Sequence, residues 1–323
     1  MGSEMCIRDS GKPIGVTFKG KERDEQLDAI NALMPFSNGV LSATTAFGKT
    51  VTAAALIARR KTNTLILVHS KALLMQWHER LSEFLDIDFT EDEISKKRGR
   101  KKAFSPVGCL DSTSNTLHGV IDIALMQSCF ENDEVKPFIK GYGMVIVDEC
   151  HHVSSITFEN VLKHVTAHYV YGLTATPIRK DGLQPIIFMQ CGPIRFSADA
   201  KAQIQKQSFQ RYLVPRFTSY RPVTDDKQSF TELSQSLAES EIRNNLIVED
   251  VLNVVAAGRT PIILTARTSH VELLAEMLKQ HIINIIQLTG EGSAKNKRET
   301  LQKLQDIPKD APLVIAVSYT HLR

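Results

Sequence analysis

The chain has 323 residues, 42% of them hydrophobic and 23% charged, with a net charge of +3. That length accommodates two domains of ordinary size, each with its own core, and the composition is that of a globular protein rather than a disordered or fibrous one. No apolar run reaches the roughly 20 residues that span a bilayer, and so mild a charge permits nucleic acid as a partner without arguing for it.

The opening MGSEMCIRDS has no apolar core of the kind a signal peptide carries. Residues 3–9 can be encoded by DNA whose reverse complement encodes residues 317–323 without a mismatch. One DNA segment in opposite orientations, resembling the adapter left by transposase-based library preparation, accounts for both ends. The expectation is that residues 1–10 and 317–323 are not native and that the natural protein continues beyond Ala316. After Gly20, short β-rich runs alternate with helical patterns, the mark of a parallel α/β protein. Strands are expected at 40–43, 64–69, 121–125, 144–148 and 169–173, where near-continuous apolar runs suit burial on both faces. Leu74, Trp77, Leu81 and Leu85 line one face of an intervening helix, which makes Trp77 a core residue rather than a stacking platform. Residues 196–225 are polar and proline-punctuated and read as a linker. A second set follows: helix 230–256, strand 261–264, helix 270–279, strand 284–288, helix 295–304 and strand 313–316. The expected domains are therefore 11–195 and 226–316. Five cysteines without a C-x-x-C pair read as free thiols of a reducing cytoplasm.

ATTAFGKT at 43–50 ends like a phosphate-binding P-loop but begins with Ala43, where the G-x-x-x-x-G-K-[ST] pattern has Gly. It lies between an expected strand and an expected helix, the context such a loop needs. Backbone N–H groups at a helix start face anions. Gly48 would let the backbone approach, Lys49 would reach the β/γ-phosphates, and the Thr50 hydroxyl would ligate Mg²⁺. A bare Gly-Lys-Thr also occurs at helix starts that hold nothing, so the downstream chain decides. MVIVDECHH brings Asp148 and Glu149 to the end of an apolar strand. Two carboxylates are costly there unless they have work. Asp148 would hold Mg²⁺, usually through water, and Glu149 would polarise the attacking water. The bland alternative is a solvated strand end with a capping Asp. Cys150, His151 and His152 are consecutive, a poor tetrahedral arrangement for zinc.

Gly-Lys-Thr, then Asp-Glu-Cys-His, then GLTATP at 172–177 resembles the ordered motif set of superfamily 2 helicases and translocases. RDEQ at 23–26 is similar to the family's adenine-reading Gln motif, LILVHSKALLMQW at 65–77 to motif Ia, and IDIALMQS at 121–128 to a segment that touches the nucleic-acid backbone. PIILTARTSH at 261–270 and IIQLTGEG at 285–292 resemble segments of the second motor domain, so the likeness covers about residues 20–316. SATTAFGKTV, VDECHH, GLTATPIRKDG and PIIFMQCGPIR are most similar to the branch of XPB and restriction-type R subunits, especially the helicases of TOTE conflict systems. In that branch an Ala at the loop's start is ordinary.

The resemblance implies an α/β fold of two RecA-like parallel-sheet domains in tandem, the second incomplete. It implies that Gln26 contacts adenine with support from Arg23, and that Thr45, Ala46, Phe47, Gly48, Lys49 and Thr50 hold the nucleotide. Lys49, Asp148 and Glu149 would be catalytic, Thr50 and Asp148 would bind Mg²⁺, and His151 would link the nucleotide to Thr174 and Thr176, which couple hydrolysis to movement. His69, Gln76, Gln127 and Ser128 would face nucleic acid, as would Thr265, Arg267, Thr289 and Gly290 on the second domain. The implied cofactors are ATP and Mg²⁺; the implied partner is nucleic acid, DNA ahead of RNA, with no membrane and with fused or associated nuclease or primase modules in the full-length protein. An ATP-dependent helicase or translocase is the leading reading, and a non-motor switch that binds nucleic acid under ATP control is the alternative. A P-loop kinase is disfavoured by the second α/β unit and the D-E-x-H box. The family's motif V should follow PLVIA, and an arginine-bearing motif VI after it, but neither is found. An arginine of that kind is worth about 10³–10⁵ in rate, so the chain is expected to bind ATP and hydrolyse it poorly. The basic run at 96–102 either grips phosphates or forms a solvated loop; the lack of interleaved aromatics favours the loop.

Overall fold

A computed structural model describes residues 11–88, 105–132, 134–151, 156–176, 184–199, 212–221, 229–289, 294–308 and 310–318. The basic run 96–102 and Gly290 lie outside them. The chain forms two compact units, Met1–Gln210 and Arg211–Arg323. Among the described residues, no helix is long and apolar enough to cross a membrane.

In the first unit the strands are β1 (Val16–Phe18), β2 (Asn38–Ser42), β3 (Thr64–Val68), β4 (Leu85–Ile87), β5 (Gly108–Leu110), β6 (Ile121–Leu125), β7 (Phe130–Glu131), β8 (Glu134–Val135), β9 (Met144–Val147), β10 (Tyr169–Thr174) and β11 (Ile194–Ser197). The helices are α1 (Asp24–Leu33), α2 (Lys49–Arg60), α3 (Lys71–Phe84), α4 (Ile156–Lys163) and α5 (Gln184–Cys191). Seven strands form one sheet in the order β11-β2-β10-β9-β3-β6-β5, and every pairing in it is parallel. Successive side chains of a strand face opposite ways. Ile66 and Val68 accordingly enter one core with Ile30, Leu56 and Trp77. Leu65 and Leu67 enter the other with Phe158, Val161 and Ile187. Helices on both faces explain why the strands read as unbroken apolar runs.

At the opposite edge from the strand C-termini, buried Asn63 ties three strand starts together. Its Oδ1 accepts the N–H groups of Lys12 at 2.8 Å and Gly143 at 3.0 Å. Its Nδ2 donates to the carbonyls of Gly119 at 3.1 Å and Gly141 at 2.9 Å. Both donors and both acceptor lone pairs of the amide are thereby used.

Several elements differ from expectation. The apolar pattern does not mark helix α1, because its buried face is Gln26, Ala29, Ile30 and Leu33, only two of them large and apolar. The edge strands β5 and β11 are too short to show a period. β11 also carries the first unit to Ser197, into the stretch read as linker, while the described residues 212–221 form neither helix nor strand.

The second unit comprises α6 (Phe230–Glu239), α7 (Glu241–Ala256), β12 (Ile262–Thr265), α8 (Thr268–Lys279), β13 (Asn284–Leu288), α9 (Ala294–Asp306) and β14 (Leu313–Ser318). Its parallel sheet runs β12-β14-β13, with Val248, Val251, Leu274, Leu278, Ile282 and Val314 as core. The single helix expected over 230–256 is two, broken at Ser240. Side chains of α7 replace the lost helical bonds: Arg243 donates to the Leu237 carbonyl at 3.2 Å and Asn244 to that of Ala238 at 2.8 Å. The final strand continues in register through Val317 and Ser318.

Candidate nucleotide site

Strands β2, β10 and β9 are neighbours, so their C-terminal ends bring Ala43, Thr174 and Asp148 to one edge of the sheet. Open parallel sheets bind ligands beyond that edge. Ala43 is buried, and its N–H donates to the Thr174 carbonyl at 2.9 Å. The residue that looked out of pattern thus anchors the loop to β10. Thr45–Phe47 form a 3₁₀ turn, and Gly48 follows at φ 85°, ψ 44°. That left-handed conformation favours glycine, and a Cβ there would lie 2.7 Å from Gln26 Nε2. Phe47 is buried against Phe196, ring centroids 6.0 Å apart. Helix α2 then begins with no side-chain cap, so its first N–H groups, which have no intrahelical acceptor, face outward at the positive end of the helix dipole.

Lys49 is 8% exposed. Its ammonium donates to the Ala43 carbonyl at 3.2 Å and to Glu149 Oε1 at 3.4 Å. Behind the loop, Gln26 Nε2 donates to the Phe47 carbonyl at 3.0 Å and its Oε1 accepts the Arg23 N–H at 2.9 Å. The Arg23 guanidinium donates to the same Phe47 carbonyl and, at 3.4 Å, to that of Ala46. The two residues assigned to adenine therefore brace the loop's backbone.

Asp148 is 6% exposed and held by two donors. Trp77 Nε1 donates to Oδ2 at 2.7 Å, and the backbone N–H of Glu149 donates to Oδ1 at 3.0 Å. Burial pushes the Asp148 carboxyl up, and the Trp77 bond pulls against it. Glu149 follows at φ 47°, a left-handed backbone rare for a side chain of its size. Burial also works to raise Glu149, but the His151 hydrogen bond and the Lys49 charge outweigh it and hold the carboxyl down at about 2. His151 Nδ1 lies 3.2 Å from Glu149 Oε2 and 3.1 Å from Thr174 Oγ1, and Thr174 Oγ1 accepts the Thr176 N–H at 3.1 Å. One chain of contacts runs from Lys49 through Glu149 and His151 to Thr176. An uncapped helix start, a buried lysine and oxygen donors from Thr50 and Asp148 fit a phosphate-bound Mg²⁺, a cation that prefers such ligands.

Because the folded pKa of Glu149 lies below its ordinary value of 4.5, its contacts stabilise the fold fully above that pH and are lost as pH falls toward 2. Glu149→Gln is expected to remove this component. Thermal unfolding followed between about pH 4.5 and 2 should show a shallower loss of Tm in the variant. Parallel curves would assign the acid sensitivity to other carboxylates.

His69 and Gln127 meet where β3 and β6 end, Gln127 donating to the His69 carbonyl at 3.4 Å. Ser128 is half-buried beside Gln127, and Gln76 is exposed on α3. In the second unit, Thr265 is buried and shares a 2.9 Å hydrogen bond with His270 Nδ1. Arg267 donates to the Thr231 carbonyl at 2.7 Å and to Ser234 Oγ at 3.4 Å. Both of these side chains are thus engaged within their own unit, and Thr289 sits half-buried at the end of β13. The spacing of Trp77 rightly makes it core, yet hides its bond to Asp148. The available signal was chemical, since a buried indole N–H requires an acceptor.

Residues 19–179 match the family described as "Type III restriction enzyme, res subunit". The chain is 28% identical over 287 residues to a putative helicase, 161L, of Invertebrate iridescent virus 6, covering 86% of this chain and 60% of that protein. It is 26% identical over 294 residues to the DNA 3'-5' helicase XPB of Kineococcus radiotolerans, covering 85% of this chain and 47% of that one. The Sulfolobus solfataricus SWI2/SNF2 ATPase core, solved in complex with dsDNA, is similar at a TM-score of 0.44 and 14% identity, over 93% of this chain and 78% of that one. The chain belongs to the superfamily 2 helicases, in the branch of XPB-like and restriction R-subunit-like proteins. It spans about half of each of these two relatives.

Proposed function

We propose that the protein is an ATP-driven motor on nucleic acid, DNA in preference to RNA, with ATP held between the start of α2 and the end of β9. The observation that carries this is the Lys49–Glu149 contact of 3.4 Å at the mouth of three adjacent strand ends. The N–H groups at the start of α2 and the Lys49 ammonium bind the β- and γ-phosphates. Thr50 and Asp148 hold Mg²⁺, which when bound neutralises charge building on the transferred phosphoryl oxygens. A carboxyl held at about 2 is a weak base, so Glu149 first orients a water as hydrogen-bond acceptor. When Lys49 turns to phosphate, Glu149 loses that counter-charge and gains basicity as the nucleotide arrives. His151 then relays the state of Glu149 to Thr174 and Thr176. His69, Gln76, Gln127 and Ser128 supply the contacts to the nucleic-acid backbone.

The test is ATP turnover by the whole gene product with and without duplex DNA or RNA. DNA-stimulated turnover lost in Glu149→Gln supports the motor, whereas tight ATP binding without turnover would support the switch.

A further inference from the structure

Asp148 is a carboxylate in a nearly closed setting, and an unpaired buried charge is expensive. Each of its oxygens is met by one donor, Trp77 Nε1 on Oδ2 at 2.7 Å and the Glu149 N–H on Oδ1 at 3.0 Å. The two donors approach different oxygens, which fixes the carboxylate plane while leaving a lone pair on each. The Trp77 ring is 1% exposed and packs in the same core as Leu74 and Leu81 from its own helix, so the indole has no room to swing away. The strand pairing supplies the placement: Leu67 lies opposite Val147, the Asp148 N–H donates to the Leu67 carbonyl at 3.0 Å, and α3 leaves β3 beside that edge. A phenylalanine would fill much of the ring's space but offer no N–H.

We propose that Trp77 is a positioning residue for Mg²⁺: its indole N–H sets the orientation in which Asp148 receives the ion. This rests on the nucleotide-site reading above. Groups that orient a metal ligand from behind typically change metal affinity about 10–100-fold when removed, whereas a purely space-filling tryptophan would alter stability alone.

The test uses this chain and a methylanthraniloyl derivative of ATP, titrated with Mg²⁺ at fixed nucleotide. In Trp77→Phe the Mg²⁺ midpoint is expected to rise by about tenfold or more, with Mg²⁺-free nucleotide affinity unchanged. Mg²⁺-dependent binding in the parent with the same midpoint in the variant would overturn the proposal and leave the nucleotide site standing. No binding by the parent at any Mg²⁺ concentration would overturn that reading and the proposal with it. Should the variant fail to fold, the parent decides, because Trp77 is the chain's only tryptophan. Its emission is expected to change with the Mg²⁺ midpoint seen for nucleotide binding, and a flat emission would overturn the proposal.

Discussion

Lys49→Ala is expected to weaken binding of a fluorescent ATP analogue by about 10–100-fold, the loss of one charge-assisted hydrogen bond to phosphate. The variant should also change Glu149. With Lys49 gone, only His151 opposes the burial that disfavours the charged carboxyl, so the carboxyl should rise from about 2. Acid titration of the nucleotide-free protein by NMR reads that rise directly. The two readouts separate causes. Lost affinity with an unmoved Glu149 would mean that the Lys49–Glu149 contact is not made in solution. Unchanged affinity would mean that phosphate is held elsewhere, and the nucleotide assignment would fall.

The second large effect concerns stability. Asn63→Ala strips the partners from the Lys12 N–H and from the carbonyls of Gly119 and Gly141. The Gly143 N–H keeps the backbone carbonyl of residue 63 at 3.1 Å. Orphaned buried groups cost about 1–3 kcal/mol each, tempered where water can reach Lys12. The expected total is about 2–4 kcal/mol. In a unit of this size that lowers Tm by roughly 5–15 °C in calorimetry. Asn63→Asp should fare no better, since it keeps the acceptor, removes both donors and buries a charge. A shift below about 1 °C would show that water replaces the amide at little cost.

The fold was legible where one physical signal dominated. Strands 121–125 and 284–288 have the expected bounds, each a five-residue stretch rich in isoleucine and leucine between segments of helical or turn character. α1 is illegible in the sequence because Gln26 is buried against the Phe47 carbonyl, a contact that exists only once the loop has its shape. The break at Ser240 is hidden because the pattern of apolar residues continues across it; only the reach of Arg243 and Asn244 back to α6 ends the helix there. In the site, motif order groups Lys49, Asp148, Glu149, His151 and Thr174; Lys49, Glu149, His151 and Thr174 touch in sequence through their side chains, while the Asp148 carboxylate is bonded instead by Trp77 and the Glu149 N–H. Spacing could not reveal that Trp77 touches Asp148, because they are far apart in the chain and adjacent only through the pairing of β3 with β9.

The strand order also bears on how the protein is made. β2 carries the loop and emerges early from the ribosome, yet both its neighbours, β10 and β11, are translated near the end of the first unit. Until then β2 has no sheet partner, and the Ala43 N–H lacks the Thr174 carbonyl that anchors the loop. Non-local parallel pairing of this kind is slow and leaves apolar strands exposed meanwhile. A strand made early in synthesis is thus completed among the last, and on the proposed reading of the site ATP would protect the nascent chain only after Thr174 has left the exit tunnel.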